Sequence, residues 1–323
     1  MAMILEGFEQ FDKTNDLAAQ MRKAGYGVDG GSVVMGSGVN ERGITTTRTS
    51  VSITAPWTSP KMSVGLAAMF TDRGALFSIN GMVFTNDMIT GFTRFSGATG
   101  SAIPIKKKWY FYEVEIDKEA DTLELFINGK SQGKVKPELS MADAQKVMLK
   151  LNEYTKPPTL EEVSQMPMDS SARSFDNIYI CDGDHLGPVT ITTRFPDKSI
   201  QSDWTLHSSD EMSHADALGK IPSEELDRYV MTNKNGKVES MTSSKKLPDG
   251  VGKVVGIGLV ALVRKTDRED AGIVFRVGDK SQTINDLPYV WGYRYAGWRA
   301  VDTDTKSSVE DSVMSLESDI RSV

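Results

Sequence analysis

The stretch Tyr110-Phe-Tyr-Glu-Val-Glu-Ile-Asp-Lys-Glu119 carries the densest set of groups able to move protons. Glu113, Glu115, Asp117 and Glu119 stand two residues apart, so on an extended strand they line one face. Two carboxyls roughly 5 Å apart, one held protonated by its surroundings, are enough to cleave a glycosidic bond with retention. Glu115 and Glu119 are the pair that could act in this way. The strand pattern ends at Ile116, however, and Asp117 to Asp121 reads as a turn before Thr122. The expectation is therefore no catalytic residue and no enzyme.

Other candidates are weaker. Asp182-Gly-Asp184 with His185 offers carboxylate oxygens in a glycine turn, the donor type that calcium takes, but a solvated turn between domains explains the same residues. His185, His207 and His214 are scattered, and no metal site is assigned. Cys181 lies beside alternating core positions and next to no base, which makes it a buried thiol rather than a nucleophile. Gly36-Ser-Gly38 with Gly43 lacks the following helix of a phosphate loop, so no cofactor is expected. Lys106-Lys-Lys108 ahead of Trp109-Tyr-Phe-Tyr112 has the look of a phosphate-and-stacking surface. Lysines at the start of a strand also deter edge pairing, and that is the reading taken. Trp291, Tyr293, Tyr295 and Trp298 could stack on the apolar faces of sugars. The first three alternate along one run, so they fit one face of a sandwich core or a contact between subunits equally well, and packing is the expectation.

The elements that would hold these residues are strands. Thr45–Thr54, Met62–Phe70 and Ala75–Ile79 are separated by Gly, Asn and Pro signals. Asn80-Gly81 and Asn128-Gly129 mark hairpin turns, since both positions tolerate positive φ. Phe175–Asp182 and Val189–Phe195 form two strand-like runs around a turn-rich loop, one closing a β-domain and the other opening the next. Val254–Arg264, Ala271–Val277 and Tyr289–Tyr295 continue the pattern. Helical signals are few: Asn15–Lys23 makes a turn or two, Ser140–Leu151 is the best helix, opened by a serine cap, and Ser223–Arg228 is a short candidate. Lys156–Ser171 reads as an irregular loop. The C-terminus shows heptad spacing at Val309, Val313, Leu316, Ile320 and Val323, too short for a stable zipper, and a strand returning to the sheet is preferred.

At 323 residues the chain suits two ordinary domains. A net charge of −7 argues against general nucleic-acid binding, which needs a positive footprint. No apolar run approaches the roughly 20 residues that span a bilayer, so no membrane insertion is expected. Met1-Ala-Met-Ile-Leu-Glu-Gly lacks the basic start and apolar core of an export signal. A single cysteine excludes intrachain disulfides and fits synthesis in a reducing cytoplasm.

Tyr110–Asp117, Leu123-Glu-Leu-Phe-Ile-Asn-Gly-Lys130 and Phe175-Asp-Asn-Ile-Tyr-Ile180 together resemble the laminin-G and concanavalin A-like jelly roll. Leu186-Gly-Pro-Val-Thr-Ile-Thr-Thr-Arg-Phe-Pro196, Ser202-Asp-Trp204 and Ala271–Arg276 resemble the continuation found in structural proteins of tailed bacteriophages. The resemblance covers most of Tyr110 to the C-terminus in pieces and brings no shared catalytic residues. It implies an all-β protein of two β-sandwich or jelly-roll domains with few short helices. The first, residues 1–184, is concanavalin A-like, and the second spans 185–323. The implied role is a non-enzymatic structural component of a virion, made in the host cytoplasm and placed at the collar or neck, tail, fibre or head surface. Its partners would be other virion proteins and copies of itself. The alternatives are a carbohydrate-binding protein that adsorbs to host-surface glycan and a jelly-roll glycan hydrolase.

Overall fold

The computed structural model describes residues 3–11, 16–39, 42–152, 172–219, 227–244, 246, 247, 249, 253–266, 270–300 and 309–321. The chain divides into two compact units, Met1–Ile191 and Thr192–Val323. Both are β-structures, with two short helices among the described residues.

The first unit opens with β1 (Met3–Glu6), α1 (Leu17–Lys23), β2 (Gly27–Ser37), β3 (Arg42–Pro56), β4 (Lys61–Phe70) and β5 (Gly74–Ile79). It continues through β6 (Met82–Asn86), β7 (Thr93–Phe95), β8 (Ala98–Thr99), β9 (Tyr110–Asp117) and β10 (Thr122–Ile127). β11 (Lys130–Val135), β12 (Lys146–Leu151) and β13 (Ala172–Asp182) complete it. The antiparallel order is β11-β10-β9-β4-β13-β3-β12-β5-β6-β7-β8, with β1 added to β13 and β2 to β3. The 15-residue β3 pairs with β13 at one end and with β12 at the other, so one hydrogen-bonded path joins both parts of a jelly-roll-like arrangement. Asn80-Gly81 and Asn128-Gly129 take positive φ at both positions and close two-residue hairpins, as their sequence predicts. The core takes one side of each strand: Tyr112, Val114 and Ile116 from β9, Val64, Leu66 and Ala68 from β4, and Val147, Leu149 and Leu151 from β12, all buried.

The second unit contains β14 (Lys198–Ser202), β15 (Thr205–His207), α2 (His214–Leu218), β16 (Tyr229–Met231) and β17 (Val238–Thr242). β18 (Gly256–Val263), β19 (Asp270–Val277), β20 (Lys280–Ile284), β21 (Gly292–Arg299) and β22 (Met314–Arg321) follow. A five-stranded sheet, β14-β17-β22-β19-β20, supplies Ile273, Phe275 and Leu316 to a core closed by Leu259, Ala261, Val263, Ala296 and Trp298 of the β18–β21 ribbon. α2 is held by a capping box between Ser213 and Asp216.

Three local expectations need correction. The expected helix Ser140–Leu151 does not form: Ser140–Gln145 is turn and irregular backbone, and Lys146–Leu151 is strand β12, paired on both sides. Its buried residues recur every second position, and the open slot between β3 and β5 outweighs the helix propensity of Met, Leu and Lys. Val189–Phe195 joins no ladder. Residues 185–191, which follow the boundary read from the sequence, lie in the first unit, where Leu186 and Val189 pack on its outer face. Asp117 is the last residue of β9, one beyond the expected strand end. The C-terminus is the returning strand, between β17 and β19. Lys156–Ser171 and most of Ser223–Arg228 lie outside the described residues.

One cross-strand row organises the outer face of the first unit. Tyr179 on β13, Gly65 on β4 and Glu113 on β9 are direct register partners, so they share that face. The Tyr179 ring lies across Gly65, and a β-carbon there would collide with it. Only glycine lets the phenol reach the next strand. We predict that Gly65→Ala destabilises the protein by about 1–3 kcal/mol through overpacking, read as a lower thermal midpoint. An unchanged midpoint would show that the ring does not need this gap.

Candidate functional site

The β18–β21 ribbon sorts its side chains by register. Ile257, Leu259, Ala261 and Val263 face Trp298, Ala296, Arg294 and Gly292. Leu259, Ala261 and Val263, with Ala296 and Trp298 from the partner strand, pack on the core of the second unit. The opposite face carries Val260 beside Tyr295 and Leu262 beside Tyr293, followed by Gly258 beside Gly297 and Gly256 beside Arg299. Tyr293 and Tyr295 are therefore neighbours on one face, roughly 7 Å apart along the strand, and both are partly exposed. Trp291 stands just before β21 and continues the row. The Arg264 guanidinium, just past β18, lies 4.8 Å from its ring centroid. Tyr229 meets Trp291 edge-on at 5.7 Å and stacks on His207 at 4.5 Å. Lys265 lies 4.8 Å from the ring centroid of the exposed Tyr289. Of the four aromatic residues singled out in the sequence, Tyr293 and Tyr295 share the face turned from the core, Trp298 sits on the other, and Trp291 lies just ahead of the strand. His207, Tyr229 and Arg264 join the cluster across a sequence separation that no spacing rule reports.

The carboxylates of β9 have a different setting. Glu113 and Glu115 occupy the outer face and are nonetheless buried, because residues 183–191 cross over them as a strap. Tyr179 Oη donates to Glu113 Oε1 at 2.7 Å and accepts from the Leu186 amide at 3.0 Å. Glu115 Oε2 lies 3.3 Å from both the amide and Nδ1 of His185. Lys61 Nζ bridges Glu115 Oε1 at 3.4 Å and Asp184 Oδ1 at 2.9 Å. The His185 ring stacks on Phe126 at 3.9 Å. The Ile191 amide donates to Asn177 Oδ1 at 2.7 Å.

Burial raises the Glu113 pKa above the ordinary carboxyl value, with the Tyr179 hydrogen bond and the charge of His185 acting against it. Burial and the neighbouring Glu113 likewise raise the Tyr179 phenol. The Tyr179–Glu113 hydrogen bond lies out of water and, through the Leu186 amide, fastens the strap. Glu119 lies exposed in the turn after β9, its amide bonded to Asp117 Oδ1, so it shares no cleft with Glu115. Asp182 turns to Thr58 and Ser59 while Asp184 turns to Lys61, which separates the two carboxylates of the glycine turn. Cys181 is buried among Met3, Ala67, Phe111 and Tyr179.

No family model and no curated protein matches the chain. Among solved structures it is similar to a sialidase, with TM-score 0.41 and 13% identity over 57% of this chain and 19% of that one. It is also similar to the alginate lyase Aly36B in complex with an alginate trisaccharide, with TM-score 0.40 and 12% identity over 57% and 99% of the two chains. A third is an endo-beta-1,4-glucuronan lyase from the fungus Trichoderma reesei, with TM-score 0.38 and 8% identity over 56% and 94%. The chain spans about a fifth of the sialidase. These likenesses extend to a β-sandwich or jelly-roll-like arrangement and no further. The sialidase and the two lyases stand against two expectations drawn from the sequence, a purely structural virion role and the exclusion of an enzyme, and neither is retained.

A carboxyl whose folded pKa lies above its unfolded value binds its proton more tightly in the fold. Its contribution to stability is present in acid and is lost as pH rises through the folded value. Glu113→Gln keeps an oxygen to accept from Tyr179 and removes the ionisation. Its thermal midpoint should exceed that of the native chain by a few degrees at about pH 8 and match it at about pH 4. A difference independent of pH would contradict the assignment.

Proposed function

We propose that the protein binds carbohydrate, with the row Trp291, Tyr293 and Tyr295 on the outer face of the β18–β21 ribbon as the contact surface. The carrying observation is that Tyr293 and Tyr295 share a partly exposed face turned from the core, with Trp291 just ahead of them, while Trp298, one strand position out of phase, does the packing. Flat aromatic rings present area at little entropic cost, and the phenols and indole add hydrogen-bonding edges. Gly258, exposed beside the tyrosines on the same face, adds no side chain to obstruct a chain of sugar units. Arg264 and Arg299 stand at the two ends of the row and can donate to hydroxyl or carboxylate oxygens. The resemblance to tailed-phage proteins suggests a setting for this binding, adsorption of a virion to host-surface glycan.

A glycan array probed with the full chain should give a defined set of hits. Tyr293→Ala and Tyr295→Ala should each weaken binding to those hits by roughly tenfold without lowering the thermal midpoint appreciably. Trp298→Ala should lower the midpoint instead, by removing a core side chain. Absence of any hit, or hits that survive both tyrosine substitutions, would overturn the assignment.

A further inference from the structure

Three loops of the first unit meet at one end of its strands: 71–73 between β4 and β5, 87–92 between β6 and β7, and 100–109 ahead of β9. The registers place them together, because Ala68 pairs with Tyr110 and Gly74 with Asn86. They are also tied to one another. Arg73 Nη1 donates to the Ile89 carbonyl at 3.1 Å, the Thr93 amide to the Ala102 carbonyl at 3.2 Å, and the Lys107 amide to the Phe70 carbonyl at 2.9 Å. Lys106 pairs with Asp72 at 3.0 Å.

This tip has an unusual surface. Ile89 is 89% exposed, Met88 68%, Ile105 61% and Ile103 48%. Four large aliphatic residues on adjoining loops are therefore left in water, which folded surfaces avoid without a reason. Around them stand Arg73, Arg94, Lys106, Lys107 and Lys108, against only Asp72 and Asp87, an excess of three positive charges on a chain whose net charge is −7. Asp72 and Asp87 are each paired, with Lys106 and Arg94.

We propose that this tip docks on an anionic phospholipid bilayer, its aliphatic side chains entering the headgroup region while the lysines meet lipid phosphates. The chemistry selects that occupant. Bare aliphatic chains gain free energy on leaving water for an acyl environment and gain nothing from a hydrated polysaccharide. The basic rim repels a second copy of itself and is drawn to the negative potential of anionic lipid. The apolar residues stand on separate loops, which suits insertion between headgroups better than a flat protein contact. The inference is independent of the carbohydrate reading, since it concerns a different unit and different residues.

Sedimentation of the full chain with phosphatidylcholine vesicles, and with vesicles in which one lipid in three is phosphatidylglycerol, tests it. Binding is expected to the second kind, weakening with added salt, and the emission of Trp109, which adjoins the tip, should shift to the blue. The triple change Lys106→Gln, Lys107→Gln, Lys108→Gln should weaken partitioning on the order of a hundredfold. The double change Ile89→Asp with Ile105→Asp should abolish it. Because these side chains are exposed, thermal midpoints should stay unchanged and separate lost docking from misfolding. No binding to the phosphatidylglycerol vesicles would overturn the proposal, as would binding indifferent to both sets of changes. Self-association without vesicles that the isoleucine changes remove would overturn it too, by assigning the tip to a second copy.

Discussion

The row Tyr179, Gly65, Glu113 is the constraint on which the outer face of the first unit depends. A phenol cannot cross a neighbouring strand unless the residue in between lacks a side chain, and Gly65 supplies that gap. Once across, the hydroxyl bonds Glu113 on one side and the Leu186 amide on the other. One side chain thereby ties β9, β4, β13 and the strap at 183–191 together. The strap in turn removes Glu113 and Glu115 from water, which is why residues on the face away from the core are buried. Carboxylates that alternate along a strand look like chemistry in a sequence. Here they act as fastenings, Glu113 bonded to Tyr179, and Glu115 to Lys61 and His185.

The second unit shows the opposite use of the same period-two rule. In the β18–β21 ribbon, alternation sends Ala296 and Trp298 inward and Tyr293 and Tyr295 outward. A shift of one residue would have exchanged the two sets. The core claims the tryptophan, whose Ile257 partner and neighbours Leu259 and Ala296 form an apolar bed. What remains outside is an aromatic row with arginines near its ends. The reading of the protein as an assembly component gave this row to core packing or a contact between subunits. Tyr293 and Tyr295 lie partly exposed on the face turned from the core.

Much of this was legible in the chain. Period-two patterns located most strands, Asn-Gly pairs located two hairpins, and the C-terminal strand was read over the competing heptad. Lys146–Leu151 was not, because Met, Leu and Lys favour helix locally while the vacancy between β3 and β5 is a tertiary fact. Val189 carries strand character, yet its partner is the apolar bed of Met3, Ala67, Phe111, Tyr179 and Cys181, and no ladder. The aromatic set was visible, but its division between two faces depends on where β21 begins, which spacing does not give. Tyr179 and Lys61 escaped notice because their partners lie 66 and 54 residues away in sequence. Lys106–Lys108 reads locally as a strand flank, and only the meeting of three loops sets it beside exposed Met88 and Ile89.

Two surfaces on two units thus offer different chemistry, one aromatic and one basic-aliphatic, while the acidic face between strap and sheet is closed. The carbohydrate assignment rests on the first of these. Its most direct test is hydrogen exchange of the full chain with and without an oligosaccharide that it retains. Slowed exchange confined to β18, β21 and the turn residues next to Arg264 and Trp291 is the predicted result. Slowed exchange over β9 and the strap, with the ribbon unaffected, would contradict it and move the glycan site to the first unit.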